Sequence, residues 1–239
     1  MKVIFGMNAA AANENYSAYA KVACRTAGRC GYDPYLLYDG TDDPGVDAKV
    51  LRVRSRFYDC MKENLRPDEL SIAAGAMLRL EIPFAFSDEY VIYADLDTVF
   101  HRYVEPPKVR YWGLVREQRG VGHFNSGVSV MNLPILRAVG PWFDKFATTI
   151  IKQGKLPSIA WDQGLINLFY DGLIEDIPDE WNWRPYWGAN DQAIVTHFHG
   201  PKPLDSHDGI IKSYHPSLYP EQFFVDKAKW LDEFNTLDF

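Results

Sequence analysis

The sequence predicts an α/β fold whose central sheet is mostly parallel and carries helices on both faces. Three observations predict it. Short continuous apolar runs, such as Val3–Met7 and Tyr90–Ala94, suit strands covered on both sides, as parallel strands are. Such runs alternate with helix-length segments from the first residues onward, in the strand–helix–strand order of crossover connections. At 239 residues the chain is of ordinary size for one α/β domain. No repeat, low-complexity tract or linker divides it, so residues 1–239 read as a single domain.

The chain begins MKVIFGMNAAAA, which imitates a secretory leader. Its apolar stretch is too short for one and Asn8 interrupts it, so Val3–Met7 is read as the first buried strand. A loop from Asn8 to Asn15 leads into the helical pattern Tyr16–Ala27, stopped by Gly28. Tyr35–Tyr38, closed by Asp39-Gly40, is the second strand and Val50–Val53 the third. Glu69–Leu80, rich in Ala, Leu and Met, is a helix closed off before Pro83. Tyr90–Ala94 and Trp112–Val115 are the next strands, then Val128–Asn132. A helix follows from Pro134 to about Ile151, with Gly140-Pro141 bending it. Asp162–Tyr170 is a helix with Gly172 as its stop. Ile174–Ile177 and Ile194–Phe198 are the last strand candidates.

Composition excludes several classes. An apolar share of 47% and a charged share of 24% are globular averages, which rules out a disordered chain. A formal charge of −7 with scattered Lys and Arg argues against a nucleic-acid partner. A negative protein that handles an anionic ligand must neutralise it locally, by a metal or a few aimed cations. Cys24, Cys30 and Cys60 have no metal-type spacing and leave one thiol unpaired in any disulfide scheme, which points to free thiols in a reducing cytoplasm. No stretch approaches the ~20 apolar residues of a membrane span.

The strongest chemical signal is Tyr90-Val-Ile-Tyr-Ala-Asp95-Leu-Asp97-Thr98-Val-Phe. A buried strand delivers two carboxylates two positions apart, hence on one side, at the strand end where open α/β sheets bind ligands. Hard oxygen ligands suit Mg²⁺ or Mn²⁺, which bridge a carboxylate and a diphosphate. The same residues resemble the nucleophile motif of haloacid-dehalogenase-type phosphatases, although that motif follows the first strand and here several elements precede it. A second signal is Thr196-His197-Phe-His199-Gly200-Pro-Lys202-Pro203. An imidazole is a good third ligand for Mn²⁺, Gly200 permits close approach of a phosphate, and Lys202 offers it a point charge. Third come His123-Phe124-Asn125-Ser126-Gly127-Val-Ser-Val-Met-Asn132 and Trp161-Asp162-Gln163-Gly164-Leu-Ile-Asn167. They place short amides and carboxylates at element ends, where they bond sugar hydroxyls or serve as turn and cap residues. Trp181, Trp183, Tyr186 and Trp187 suit a sugar-stacking wall or core filling. The tail Glu221–Phe239 has an apolar stripe but five acidic residues against two lysines, which favours docking on its own domain over anionic lipid.

Together and in this order, these elements resemble the retaining glycosyltransferases of the Rossmann-like GT-A fold, specifically family 8, the glycogenin and bacterial galactosyltransferase group. The family's Asp-x-Asp matches Asp95 and Asp97, and its Phe-Asn-x-Gly with a following strand matches Phe124 to Met131. Its Asp-Gln-Asp-x-Leu-Asn matches Asp162 to Asn167, and its His-x-x-Gly-x-x-Lys-Pro matches His197 to Pro203. The resemblance implies a GT-A sheet and transfer of a hexose, with retention, from a nucleotide-diphosphate sugar such as a UDP-hexose to a saccharide or other hydroxyl acceptor. It implies Asp95, Asp97 and His197 as ligands of Mn²⁺ or Mg²⁺, with Asp95 also at the donor, and Gly200 and Lys202 at the diphosphate. Arg79 would lie near the donor, and Asn8 and Tyr16 where the first loop holds the nucleobase. Asn125, Asp162 and Gln163 would face the transferred sugar, Gln163 on the side where the leaving group departs.

The chain departs from that pattern in three places. The last motif is one residue short between Gly200 and Lys202, which makes His199 an alternative ligand; reading the motif from its first histidine selects His197. Gly164 stands where the family has a second Asp. The first loop lacks the usual Asp-x-x-Tyr, which leaves the nucleobase open. Two other classes remain: a phosphatase with Asp95 as nucleophile and Asp97 as acid/base, and a non-catalytic sugar-nucleotide-binding protein.

Overall fold

The computed structural model describes residues 1–9, 14–206 and 221–237. Residues 10–13 of the loop expected between Asn8 and Asn15 therefore lie outside the described residues, as do the last two of the tail. The first half of the chain gives β1 (Lys2–Met7), α1 (Glu14–Arg29), β2 (Asp33–Tyr38), β3 (Lys49–Arg52), α2 (Tyr58–Asn64), α3 (Pro67–Ala76), α4 (Ile82–Ala85), β4 (Tyr90–Ala94) and β5 (Thr98–Phe100). The second half gives β6 (Trp112–Gln118), β7 (Val121–Asn132), α5 (Leu133–Lys152), α6 (Trp161–Phe169), β8 (Ile174–Asp176), β9 (Val195–His197) and α7 (Glu221–Asn235).

Seven strands form one sheet in the order β3-β2-β1-β4-β7-β6-β8, and β5 pairs with β9 in a separate two-stranded ribbon. Pairing is parallel except on the two sides of β7, which runs against β4 and β6. The sheet is thus mostly parallel, as the continuous apolar runs predict. Strand alternation sorts the core into two layers. Val3, Phe5 and Met7 of β1 face α1 residues such as Val22 and Cys24, together with Phe223 and Trp230 of α7. Ile4 and Leu37 face Met61, Met77, Leu136, Phe143 and Leu165 from the helices of the other face. In α5 the buried residues Leu133, Leu136, Gly140, Phe143, Ala147 and Ile151 recur at helical spacing, so one stripe carries the contact. Burial contributes about 1.5–3 kcal/mol for each large apolar side chain. Asn132 caps the helix, its side chain accepting the Ile135 amide.

The structure revises the sequence reading at three points. The helix expected over Glu69–Leu80 begins at Pro67, favoured in a first turn, and tightens after Ala76 into a 3₁₀ turn over Met77–Glu81, where Arg79 is buried. The strand expected over Val128–Asn132 begins at Val121, because Gly120 and Gly122 adopt positive φ of 74° and 79° and fold a tight hairpin with β6. Asn125 therefore lies within a strand and not at its end. β5 follows the Asp-x-Asp element directly and is too short to show periodicity. The acidic tail docks as expected: Trp230 is fully buried and sits 5.4 Å from the Tyr19 ring of α1, and Arg29 pairs with Glu233. Trp181 and Trp183 are buried, which makes them core residues, while Tyr186 and Trp187 remain partly exposed. Among the described residues no helix is long and apolar enough to cross a membrane, and the three cysteines are free.

Candidate active site

Asp95 and Asp97 emerge from the carboxyl end of β4, in the middle of the sheet. The ribbon brings the third residue to them, because Thr98 of β5 is in register with His197 of β9. Candidate ligand atoms of Asp95, Asp97 and His197 lie within 4.8 Å of one another. His197 Nε2 is 3.4 Å from Asp97 Oδ1 and 3.8 Å from Asp95 Oδ2. Its Nδ1 is 2.8 Å from Asn182 Oδ1. The side chain of Asn182 donates in turn to Asn125 Oδ1 (2.9 Å), which also accepts the Gly127 amide (3.0 Å). A backbone N–H is an unambiguous donor, so the chain of bonds orients both Asn amides and makes His197 Nδ1 the donor. The lone pair of Nε2 then faces the two carboxylates, the arrangement a metal ligand needs. A Cβ at Gly127 would come within 2.2 Å of His197 Cε1 and 2.8 Å of Asp95 Oδ2, so a glycine is needed for these groups to converge.

Charge is balanced by two cations, the buried Arg79 and the partly exposed Lys202. Arg79 pairs with Asp95 (2.9 Å) and Asp162 (2.7 Å) and donates to the Ser126 carbonyl, while its guanidinium lies 4.2 Å from the Tyr93 ring centre. Tyr93 also donates to Asp95 Oδ1 at 2.8 Å. Lys202 pairs with Asp97 and bonds the Phe198 carbonyl at 3.0 Å. Burial alone would push the Asp97 carboxyl up, but Lys202 and His197 hold it far below the usual carboxylate range. Burial lowers His197, against the pull of Asp97 and Asp95, which favours the neutral imidazole. Asp162 moves the other way. Burial raises it to about 6, with Arg79 opposing and Asp95 adding to the rise.

Around this cluster is a cleft of about 780 Å³ whose lining includes Asn8, Tyr16, Arg79, Asp95, Asp97, Asn125, Asp162, Gln163, His199 and Lys202. Asn8 is buried, its amide donating to the Ser71 carbonyl at 2.7 Å, while Tyr16 on α1 is half-exposed. Gln163 Oε1 accepts from Asn125 Nδ2 and the Ser126 amide, both at 3.1 Å. Gly200 does not line the cleft; with a φ of 97° it turns the chain between His199 and Lys202. His199 points elsewhere than the carboxylate pair: its Nε2 is 3.0 Å from Glu117 Oε1 and its Nδ1 3.0 Å from the Tyr186 hydroxyl. Gly164 has a packing reason, since a Cβ there would lie 1.7 Å from the Ile159 carbonyl oxygen.

Sequence reasoning missed Glu117 and Asn182. Glu117 accepts from Asn125 Nδ2 at 3.0 Å. Burial raises it, but His199, Asn125 and Arg184 bring it down to about 2. Asn182 is fully buried between Trp181 and Trp183, and an amide flanked by tryptophans was the one available signal, since a buried amide demands partners.

No protein-family model matches the chain, and no curated protein matches it. Solved structures do, and they define a class: the architecture is the GT-A fold of glycosyltransferases. The galactosyltransferase LgtC, solved with donor and acceptor sugar analogs, superposes with a TM-score of 0.68 at 15% identity, covering 100% of this chain and 97% of its own. The glycosyltransferase GlyE of Streptococcus pneumoniae TIGR4 gives a TM-score of 0.64 at 14% identity, over 97% of this chain and 64% of its own. Mouse xyloside xylosyltransferase 1 gives 0.55 at 11% identity, over 85% and 99%. At these identities the fold is what is shared.

Proposed function

We propose that the protein is a metal-dependent retaining glycosyltransferase that moves a hexose from a UDP-sugar to an acceptor hydroxyl, and that it works in the cytoplasm with its thiols reduced. The observation that carries the reading is the convergence of Asp95, Asp97 and the Nε2 of His197 within 4.8 Å of one another in a GT-A fold, with the two carboxylates lining a large cleft and His197 buried behind them. These three residues would hold Mn²⁺ or Mg²⁺, and the two-oxygen, one-nitrogen set suits either ion. When bound, the cation supplies Lewis-acid neutralisation of charge on the departing diphosphate.

The chain's own residues do the rest. Lys202 adds a second positive charge on the same wall. Arg79 has its guanidinium engaged by Asp95, Asp162 and Ser126, so it acts by holding those groups in place. Gln163 lines the cleft where the transferred sugar would lie, its Oε1 held by Asn125 and Ser126 and its Nε2 3.5 Å from Glu117 Oε2. Asp162 Oδ2 is bound to Arg79 and to Ser126 Oγ (3.2 Å) and so makes a poor nucleophile. That supports a front-face route, in which the acceptor attacks from the side the diphosphate leaves and the leaving oxygen takes its proton. The phosphatase alternative needs Asp95 as nucleophile, but its Oδ1 is engaged by Arg79 and Tyr93.

Calorimetry with UDP tests the reading. Affinity with Mn²⁺ present is expected to fall at least about tenfold, ~1.4 kcal/mol, on adding EDTA. Metal-independent binding of equal strength would overturn the ligand assignment. UDP release from a UDP-hexose separates an enzyme from a sugar-nucleotide-binding protein without turnover.

A further inference from the structure

The contact stripe of α7 carries one residue that an apolar stripe does not call for. Phe223, Trp230 and Phe234 recur at helical spacing and pack with the layer that faces α1. Lys227 stands four residues after Phe223 and three before Trp230, on the same stripe, and is partly buried. A lysine turned toward a core loses hydration and needs a partner there. Its partner is the backbone carbonyl of Asp205, which accepts from the Lys227 ammonium. Asp205 lines the large cleft together with Lys202. We propose that Lys227 is a positioning residue for Lys202, and that through it α7 sets the affinity of the cleft for a nucleoside diphosphate. The inference rests on the transferase reading and adds to it a residue of the C-terminal helix on which donor binding depends.

The segment from Phe198 to Asp205 shows how the helix reaches the cleft. At its start the Phe198 amide donates to the Asp97 carbonyl at 2.9 Å, and the Phe198 ring lies 6.1 Å from that of Phe223. At its end Lys202 and Asp205 form one closed turn. The Lys202 amide donates to Asp205 Oδ2 at 2.8 Å, and the Lys202 carbonyl accepts the Asp205 amide at 3.1 Å. Lys227 holds this turn by the Asp205 carbonyl. A second tie runs through α1. The hydroxyl of buried Tyr19 is hydrogen-bonded to the Leu204 backbone, and Trp230 packs on the Tyr19 ring. The candidate metal ligands are held by other means: Asp95 and Asp97 follow β4, and His197 is fixed by the β5–β9 ladder and by Asn182. Loosening the Lys202–Asp205 turn therefore displaces the Lys202 ammonium and leaves the ligand set in place. A point charge acts on a diphosphate through its distance, so a displaced ammonium binds it less well.

The test uses the full chain. Lys227→Met keeps most of the side chain's length and suits an apolar stripe, so its unfolding midpoint in denaturant is expected at the wild-type value or above. UDP affinity with Mn²⁺ present, read by calorimetry, should still fall about tenfold, while Mn²⁺ affinity of the nucleotide-free protein stays within about threefold. Lys227→Arg, which keeps a charged donor, should recover most of the loss. In a Lys202→Met background, where the positioned charge is gone, adding Lys227→Met should change UDP affinity less than about twofold. Lys227→Gln, with a shorter side chain, takes the place of Lys227→Met if that variant does not fold, with the same outcomes expected. Wild-type UDP affinity in the folded variant would overturn the inference. So would an equal loss of Mn²⁺ affinity, or an undiminished loss of UDP affinity in the Lys202→Met background. Wild type that binds no UDP with Mn²⁺ present would instead remove the transferase reading, and this inference with it.

Discussion

Replacing Asn182 with Leu tests the logic of the metal site without touching a ligand. Asn182 Oδ1 is the acceptor for His197 Nδ1 at 2.8 Å. Without it, the imidazole proton has a better position on Nε2, which faces Asp97 Oδ1 at 3.4 Å and Asp95 Oδ2 at 3.8 Å. That tautomer donates to the carboxylates and has no lone pair for a metal. Loss of such a supporting bond weakens metal binding about 10–100-fold, or ~1.4–2.8 kcal/mol. Mn²⁺ affinity, read by calorimetry or by the spin resonance of the free ion, is expected to fall by that amount while the circular dichroism of the fold is kept. Asn182→Asp keeps an acceptor for Nδ1 and is expected to retain most of the affinity. If folded Asn182→Leu binds Mn²⁺ as tightly as wild type, the tautomer argument is wrong, whatever becomes of the activity.

Three other perturbations follow from the geometry. His197→Ala is expected to abolish Mn²⁺ binding, whereas His199→Ala, which removes a partner of Glu117 and Tyr186, should leave it near wild type; the reverse result would reassign the ligand. Gly164→Asp, which restores the family's residue, drives a Cβ toward the Ile159 carbonyl and is expected to cost about 1–3 kcal/mol, read as a lower unfolding midpoint in denaturant. For Asp162 the folded-state value of about 6 lies above the ordinary 3.8, so the folded state binds this proton more tightly than the unfolded one. Its stabilising contribution is complete below about pH 4 and is lost as pH rises through 6, about 3 kcal/mol at most. Wild type should lose that much relative to Asp162→Asn between pH 4 and 7 in denaturant titrations, and parallel pH profiles would contradict it.

The sheet was legible because its strands are nearly continuous apolar runs, and a run such as Tyr90–Ala94 has no other comfortable place. The Asp95–Asp97 pair was legible for the same reason, since a strand of that kind fixes where its end points. What escaped were the parts that depend on contact between distant segments. Val121–Gly127 has no apolar run and becomes strand only because two positive-φ glycines return it along β6. Thr98–Phe100 is three residues long, below the reach of any period, and is a strand only opposite β9. Arg79 was placed near the donor by resemblance, but its partners Asp95, Ser126 and Asp162 come from the residue after β4, from β7 and from α6, which no local pattern reveals. Likewise Glu117 and Asn182 matter through Asn125, and a hydrogen-bond network leaves no trace in hydropathy.

The ribbon of β5 and β9 ties two ends of the chain's chemistry with a ladder of three paired positions. Its fidelity is therefore digital. A slip of one residue would turn His197 to the opposite side and present Thr196 or Phe198 to the carboxylates, so the site has no gradual way of being misassembled. Burial backs this fidelity: Thr98, Phe100, Val195, Thr196 and His197 are all buried, and Phe100 and Val195 belong to the core that packs on α1. A short ladder is thus held by what lies around it, and the ligand point is assembled by the same packing that completes the fold.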